Sequence, residues 1–391
     1  MRVQGPAILG GEPAFPDGLP FSRPALPPLE HVMERLRGSY DEGVLTNGPL
    51  VRELEDRIAE RLEVPHVVAV ASCTAGLMLA LRVLAPSGRD VVLPSFTFSA
   101  SAHAVAWNGL RPRFAECDPD TFQLDAADAE RRIDGCGVLL PTHVFGAPCT
   151  PERFEALADA AGVRLVFDAA HALGAVRHGR PVGAFGDAEV FSLTPTKPLV
   201  AGEGGLVATR HEDVAEHLRW GRDYGNPGDY DTRFVGLNAR MSELHAALAL
   251  EGLASFDDHL ARRRAIAARY RSALAEVPGV HVQAVDPEDD VTYKDFTIAL
   301  DADAFGLDRD RVVAALHAEG VDTRTYFWPP IHLQQSYANS VDRELPVTTC
   351  VARSVISLPI YPDLEESAVD EIARCIKSLH LHSEDAAAFG S

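Results

Sequence analysis

The chain has 391 residues, 46% of them apolar and 24% charged, enough for one large or two ordinary domains with a sizeable core. Its 57 acidic against 36 basic residues leave a formal charge of −21, which argues against nucleic acid or anionic membrane as a general partner because long-range repulsion opposes both. A few local arginines can still reverse the field inside a cleft, so an anionic small substrate stays open.

Residues 1–28 are rich in Pro and Gly and predict an extended arm over the surface. A helix is expected over Leu29–Gly38, then turn chemistry at Leu45-Thr-Asn-Gly-Pro49, then helical periodicity over Leu50–Leu62 with Pro49 at the helix start. From there strand and helix alternate. Strands are expected at Val67–Ala71, Val91–Leu93, Gly137–Leu140, Val163–Phe167, Ala188–Phe191 and Gly205–Ala208, with helices at Ala75–Leu84, Ser99–Trp107 and Pro151–Ala161. Continuous apolar strands separated by helices imply an α/β fold whose central sheet is mostly parallel and covered on both faces. Residues 240–277 read as one long helical region, followed by shorter elements at Val280–Val285, Phe296–Leu300, Arg309–Ala318 and Ala368–Leu379. The division expected is an arm over 1–28, a large α/β domain over 29–255 and a smaller α+β C-terminal domain over 256–391, with a frayed tail after His382.

The six cysteines show no C-x-x-C pair and no zinc spacing, and Cys136 and Cys375 sit in apolar contexts that suit small buried hydrophobes. The first residues lack an apolar targeting core, and no apolar span is long enough to cross a bilayer. A reduced, cytoplasmic enzyme is the expectation.

Only three lysines occur, Lys197, Lys294 and Lys377, in a chain that otherwise favours arginine. Lys377 falls on an amphipathic C-terminal helix, as on a solvated face. Lys294 opens a strand as surface charge or substrate contact. Lys197, in Phe191-Ser-Leu-Thr-Pro-Thr-Lys197 just ahead of Gly202-Glu-Gly-Gly205, suggests chemistry a guanidinium cannot do: an amine can lose its proton and condense with an aldehyde. Asp168 follows a buried strand, where ligand-facing residues gather in parallel sheets, and fits either a partner for a protonated pyridine nitrogen or a helix cap. His171 follows three residues later; with no third ligand near, a metal pair is not expected. Ser72-Cys-Thr74-Ala75-Gly76 joins a strand to a helix and offers N–H groups to a phosphate, unless Thr74 merely caps that helix. Ser192 is a second hydroxyl in reach. Phe98 can stack on a planar ring or simply fill core. A phosphate cup, an aromatic plate, a strand-end aspartate and an amine on successive crossovers are the parts that hold pyridoxal 5′-phosphate (PLP).

These stretches, with Leu45-Thr-Asn-Gly-Pro-Leu-Val-Arg-Glu-Leu-Glu55, Phe167-Asp-Ala-Ala-His-Ala-Leu-Gly174, Gly236-Leu-Asn-Ala-Arg-Met-Ser-Glu243 and Pro329-Pro-Ile-His332, resemble the DegT/DnrJ/EryC1/StrS family of PLP-dependent sugar aminotransferases, of fold type I. The resemblance runs from about Leu45 to Leu379. It implies Lys197 as the Schiff-base lysine and acid/base, Asp168 on the pyridine nitrogen, Phe98 stacked on the ring and His171 near the ring hydroxyl. Thr74, Ala75 and Ser192 would bind phosphate, and Asn238 would reach the cofactor of a neighbouring subunit, so the active unit would be a homodimer. Cys73 departs from the glycine many members carry there, and Pro198 from a frequent asparagine.

The implied reaction moves an amino group from glutamate through PLP and its pyridoxamine form (PMP) to a keto-sugar. Ala188–Ser192, Val321–Phe327 and Ser101–Trp107 look most like enzymes that aminate C4 of a dTDP-4-keto-6-deoxyglucose in antibiotic deoxysugar pathways. Arg222, Arg240 and Lys294 are the basic candidates for the diphosphate, with Tyr326 and His332 as sugar contacts. The alternatives are amination at C3 or of a keto-inositol, PLP-dependent dehydration, which Lys197 disfavours, and a catalytically silent regulator.

Overall fold

The structure, a computed structural model, describes residues 5–86, 89–340 and 344–388. The first four residues of the expected arm and the last three of the C-terminal region lie outside the described residues.

Nine strands belong to the N-terminal two thirds: β1 (His66–Val70), β2 (Asp90–Pro94), β3 (Arg111–Ala115), β4 (Cys136–Leu139), β5 (Arg164–Asp168), the two-residue β6 (Val176–Arg177) and β7 (Arg180–Pro181), β8 (Ala188–Ser192) and β9 (Gly205–Thr209). Seven of them form one sheet in the order β1-β9-β8-β5-β4-β2-β3, parallel except where β9 pairs antiparallel with β1 and β8; β6 and β7 make a separate ribbon. Helices α1 (Leu29–Asp41), α2 (Pro49–Leu62), α3 (Cys73–Leu84), α4 (Ser99–Trp107), α5 (Ala126–Arg132), α6 (Pro151–Ala161), α7 (Glu212–Gly221) and α8 (Glu243–Gly252) surround it.

The two-residue period of a strand divides the core into two layers. Ala69, Leu139, Leu165, Phe167, Phe191 and Leu206 pack towards α2, α6 and α8. Val70, Leu93, Val138, Val166, Val190 and Val207 pack towards α3, α4 and α7. Asp168 and Ser192 continue the second series by one step, so both leave the sheet at its carboxyl end on the α3–α4 side.

Beyond α9 (Phe256–Leu274) the strands β10 (Val280–Val282), β11 (Phe296–Leu300) and β12 (Val355–Leu358) form an antiparallel sheet. The helices α10 (Ala302–Phe305), α11 (Arg309–Ala318), α12 (Pro346–Ser354), α13 (Glu366–Leu381) and α14 (Ser383–Ala388) accompany it. The arm is tied to this layer: Glu319 accepts the amides of Ala7 and Ala14 at 2.7 and 3.0 Å, and Phe15 and Leu19 donate to the Glu319 and Gly320 carbonyls.

Several expectations change. The region 240–277 is two helices broken by a 3₁₀ turn at Leu253–Ser255, and the strand from Val280 stops at Val282. The tail after His382 is helical, with Ala386 buried and Arg311 donating to the Ala386 and Ala387 carbonyls. β3, α12 and β12 were not expected. Among the described residues no helix is long and apolar enough to cross a membrane.

One buried carboxylate joins two distant motifs. Glu243, on α8, accepts the amides of Gly48, Leu50 and Val51 at 2.9–3.0 Å and the Ser39 hydroxyl at 2.8 Å. It thereby caps α2, whose first N–H groups have no partner within the helix. Thr46 and Asn47 both donate to the Met241 carbonyl, closing the contact. Glu243→Ala is expected to cost about 3 kcal/mol, because buried donors lose their acceptor. Glu243→Gln should cost less; the urea denaturation midpoint reads both.

Candidate active site

The carboxyl ends of β1, β5 and β8 open into a cavity of about 350 Å³. Its lining includes Thr74, Phe98, Asp168, His171, Ser192, Lys197, Lys294 and Tyr326, so eight residues singled out in the sequence meet in one place.

At one end stands the N-terminus of α3. Ser72, not Thr74, is its cap, accepting the Ala75 amide at 3.1 Å, while Gly76 donates to the Ser72 carbonyl. Of the four unpaired amides of the first turn, those of Cys73 and Thr74 are left for a ligand. Ala75, also expected at the phosphate, is not among the cavity-lining residues, and its N–H donates to Ser72 Oγ. The Cys73 thiol turns towards the Val190 carbonyl, 3.8 Å away. Gly205 explains the glycine pair beside Lys197: a Cβ there would lie 2.6 Å from the Cys73 nitrogen. Ser192, buried, lies 3.3 Å from the Thr194 hydroxyl on the same side.

Asp168 occupies the opposite end. Burial pushes its carboxyl up, while two hydrogen bonds pull against that shift, from Ser101 Oγ at 2.6 Å and the Ala170 amide at 3.1 Å. Ser101 is in turn 3.3 Å from Thr97, to which Thr142 donates at 3.2 Å. This hydroxyl chain had no expected role; its signal was Ser101 in a quoted stretch, one turn from Phe98. Phe98 caps the mouth and is 59% exposed, so it is not core. His171 is buried, which drives its pKa down with help from Lys197 and Lys294, so the ring is neutral. Its Nδ1 has no hydrogen-bond partner.

Lys197 sits half-buried on a turn, its amide bonded to the Thr194 carbonyl at 2.9 Å. Burial first, and then the charge of Lys294, lower its pKa from 10.5 to about 8. Glu203, within the glycine-rich stretch, also lines the cavity and was given no role from sequence.

Four other candidates are placed away from this lining. Arg222 is a buried strut bonded to Glu55 and to the Ala69 carbonyl. Arg240 pairs with Asp223 beneath Tyr224. His332 is fully buried, its Nδ1 2.6 Å from Ser95 Oγ. Arg222 and His332 are buried against these partners and Arg240 is half-buried against its own, so none of the three lines this cavity within the protomer. Asn238 is exposed, on a segment held by backbone bonds from Tyr224 to the Leu237 carbonyl and from Ala239 to the Arg222 carbonyl.

The pattern of the DegT/DnrJ/EryC1/StrS aminotransferase family matches residues 29–377. The chain belongs to that family. It is 37% identical over 330 residues to dTDP-3-amino-3,4,6-trideoxy-α-D-glucose transaminase of Streptomyces venezuelae, covering 83% of this chain and 86% of that one. It is 31% identical over 367 residues to dTDP-4-amino-4,6-dideoxy-D-glucose transaminase of Escherichia coli, covering 92% and 98%. The crystal structure of DesI in the presence of its TDP-sugar product superposes with a TM-score of 0.92 at 36% identity, covering 99% of each chain. The fold is that of the PLP-dependent aminotransferases, and the protein is a PLP-dependent enzyme of that class.

The residues present fit the cofactor. Free amides at a helix N-terminus suit its phosphate, a buried carboxylate suits its ring nitrogen, and the orphaned His171 Nδ1 awaits a polar partner.

Two outcomes follow. In the cofactor-free protein, labelling of Lys197 by an amine-reactive reagent should rise with pH through a midpoint near 8, not 10.5, because the lowered pKa frees the amine sooner; peptide mapping measures it. Ser101→Ala should raise the Asp168 pKa further and weaken cofactor retention roughly tenfold, about one hydrogen bond's worth; the dissociation constant of the cofactor measures it.

Proposed function

We propose that the enzyme moves an amino group from glutamate to C4 of a dTDP-4-keto-6-deoxyglucose-type nucleotide sugar, giving a 4-amino-4,6-dideoxy sugar for antibiotic glycosylation. The observation that carries the aminotransferase part is the pairing, in one cavity, of an amine poised near neutrality with a buried carboxylate. The C4 assignment leans on the stretches around Ser101, Ala188 and Val321 and on likeness to the 4-amino transaminase of Escherichia coli.

When bound, the cofactor supplies an electrophilic carbonyl and a ring that accepts an electron pair. Everything else falls to the chain. The Cys73 and Thr74 amides, with the Thr74 and Ser192 hydroxyls, hold the phosphate. Asp168 keeps the proton of the ring nitrogen in place, and Ser101 and Ala170 keep Asp168 aimed. His171, neutral, takes the ring hydroxyl, and Phe98 covers the ring at the mouth. Lys197 Nζ, its pKa lowered to about 8 so that a usable fraction is neutral near physiological pH, is the nucleophile that would anchor the cofactor. When free, the same amine would take the proton from the donor α-carbon and hand it to the cofactor, and in the second half would take one back from the cofactor and deliver it to the sugar carbon. Asn238, exposed on its anchored loop, reaches the cofactor of a second subunit, so the working unit is a homodimer. Six cysteines held as thiols, five of them buried, support a reducing cytoplasmic setting.

Amination at C3 is the second reading, favoured by the 37% identity to a transaminase whose named sugar bears a 3-amino group. Incubation of the purified enzyme with glutamate and either the 4-keto or the 3-keto nucleotide sugar, with the new C–N bond located by NMR, separates the two. A 4-amino product is expected; a 3-amino product sinks the C4 assignment alone. No product from either sinks the sugar-nucleotide reading. Lys197→Ala should drop turnover to background and remove the visible band of the bound cofactor, which glutamate otherwise bleaches.

A further inference from the structure

The cavity contains a second ammonium that the reaction above does not use. Lys294 is 6% exposed, and its Nζ lies 2.7 and 2.9 Å from the two oxygens of Asp295, itself buried. The Tyr326 ring covers another side of the Nζ, with its centroid 5.3 Å away. An ammonium has three N–H groups, and two carboxylate oxygens occupy at most two of them in this geometry. The remaining donor belongs to a side chain that lines the cavity.

The segment bearing this pair is fixed with unusual care. Tyr293 has a left-handed backbone, with φ of 45°. Arg263, buried, donates to the Tyr293 and Ile360 carbonyls, each at 3.1 Å. Thr292 donates through Oγ1 to the His171 carbonyl at 2.6 Å, and through its amide to Gly146. Gly146 must be glycine, since its φ is 93° and a Cβ would fall 2.0 Å from Thr292 Oγ1. Lys294 is therefore presented at a set place relative to the His171 turn. Its charge acts on both Lys197 and His171, so it lies towards the reacting centre.

The charges that face one another here are Lys197, Lys294, Asp168, Asp295 and Glu203, with His171 neutral. Lys197 must shed its proton to act. Among the described lining residues that leaves Lys294 as the one standing cation, and an amino-acid donor brings a carboxylate that needs one.

We propose that Lys294 binds the carboxylate of the amino donor through its remaining N–H, while Asp295 and the Tyr326 ring hold the ammonium in position. The role rests on the aminotransferase reading above, but it concerns the donor half of the reaction and is indifferent to which sugar carbon is aminated. It also replaces the diphosphate as the anion expected at Lys294.

The test uses the cofactor-loaded enzyme and glutarate, a dicarboxylate with no amine to react. Calorimetry should show glutarate binding weakened about tenfold or more by Lys294→Met, the loss of one charged hydrogen bond, and largely kept by Lys294→Arg. Binding of dTDP should be unchanged in both. The KM for glutamate should rise by a similar factor while that for the keto-sugar holds. Bound-cofactor absorbance equal to wild type shows that each variant is folded. Unchanged glutarate affinity in Lys294→Met overturns the proposal, and loss of dTDP affinity in its place returns Lys294 to the nucleotide. If wild type binds glutarate but aminates no sugar nucleotide, the sugar reading fails and this one stands.

Discussion

Removing charge from water is the constraint on which the site depends. Four ionisable groups, Asp168, Lys197, Lys294 and Asp295, line or adjoin one small cavity, and burial raises the pKa of the Asp168 carboxyl and lowers that of the Lys197 amine. Their arrangement makes the cost selective. Asp168 recovers part of it through the Ser101 hydroxyl and the Ala170 amide, and Lys294 does so through both oxygens of Asp295. Lys197 has no such direct partner among the hydrogen bonds of its Nζ and faces a like charge as well. Its pKa accordingly falls from 10.5 to about 8. A nucleophile arises here because the neighbours are satisfied and it is not.

The same logic of satisfied partners sets the wider frame. Glu243 closes the start of α2 by holding the Gly48, Leu50 and Val51 amides, while the Asn238 segment is held by backbone bonds from Tyr224 to the Leu237 carbonyl and from Ala239 to the Arg222 carbonyl. Arg222 works similarly at the middle of that helix, tying Glu55 to the Ala69 carbonyl near the end of β1. Strand β1 leads directly into Ser72 and the α3 cup. The helix capped by Glu243 thus also braces the strand feeding the phosphate end.

Much of this was legible in the letters, for definable reasons. Continuous apolar runs mark buried parallel strands, and a residue two positions past Val166 on the same face must project from the strand end, so Asp168 was readable. Lys197 stood out by scarcity. What escaped notice depended on distant partners. β3 is an edge strand whose Pro112 and two arginines mask its pattern. The tail helix is held by Arg311, and the cap of α3 turned on whether Ser72 or Thr74 had the extended backbone. Arg222, Arg240 and His332 looked available only because a sequence does not show that Glu55, Asp223 and Ser95 already hold them. Ser101 gave no sign of touching Asp168, 67 positions away in the chain.

The cavity is built by two parts of the chain with different duties. The parallel sheet and the segments that follow its strands contribute Thr74, Asp168, Ser192 and Lys197. The region after α9 contributes Lys294, Tyr326 and Phe327. Tyr326 meets Phe21 of the N-terminal arm edge-on at 6.0 Å, and Phe327 stacks on Phe145 at 5.7 Å. These two aromatics are thus packed against segments that contribute nothing to the phosphate end or the strand end of the cavity. A change at Tyr326 or Phe327 would repack this wall while leaving Asp168, Ser192 and Lys197 where the sheet end holds them, so the shape of the cavity and its charged groups can vary separately.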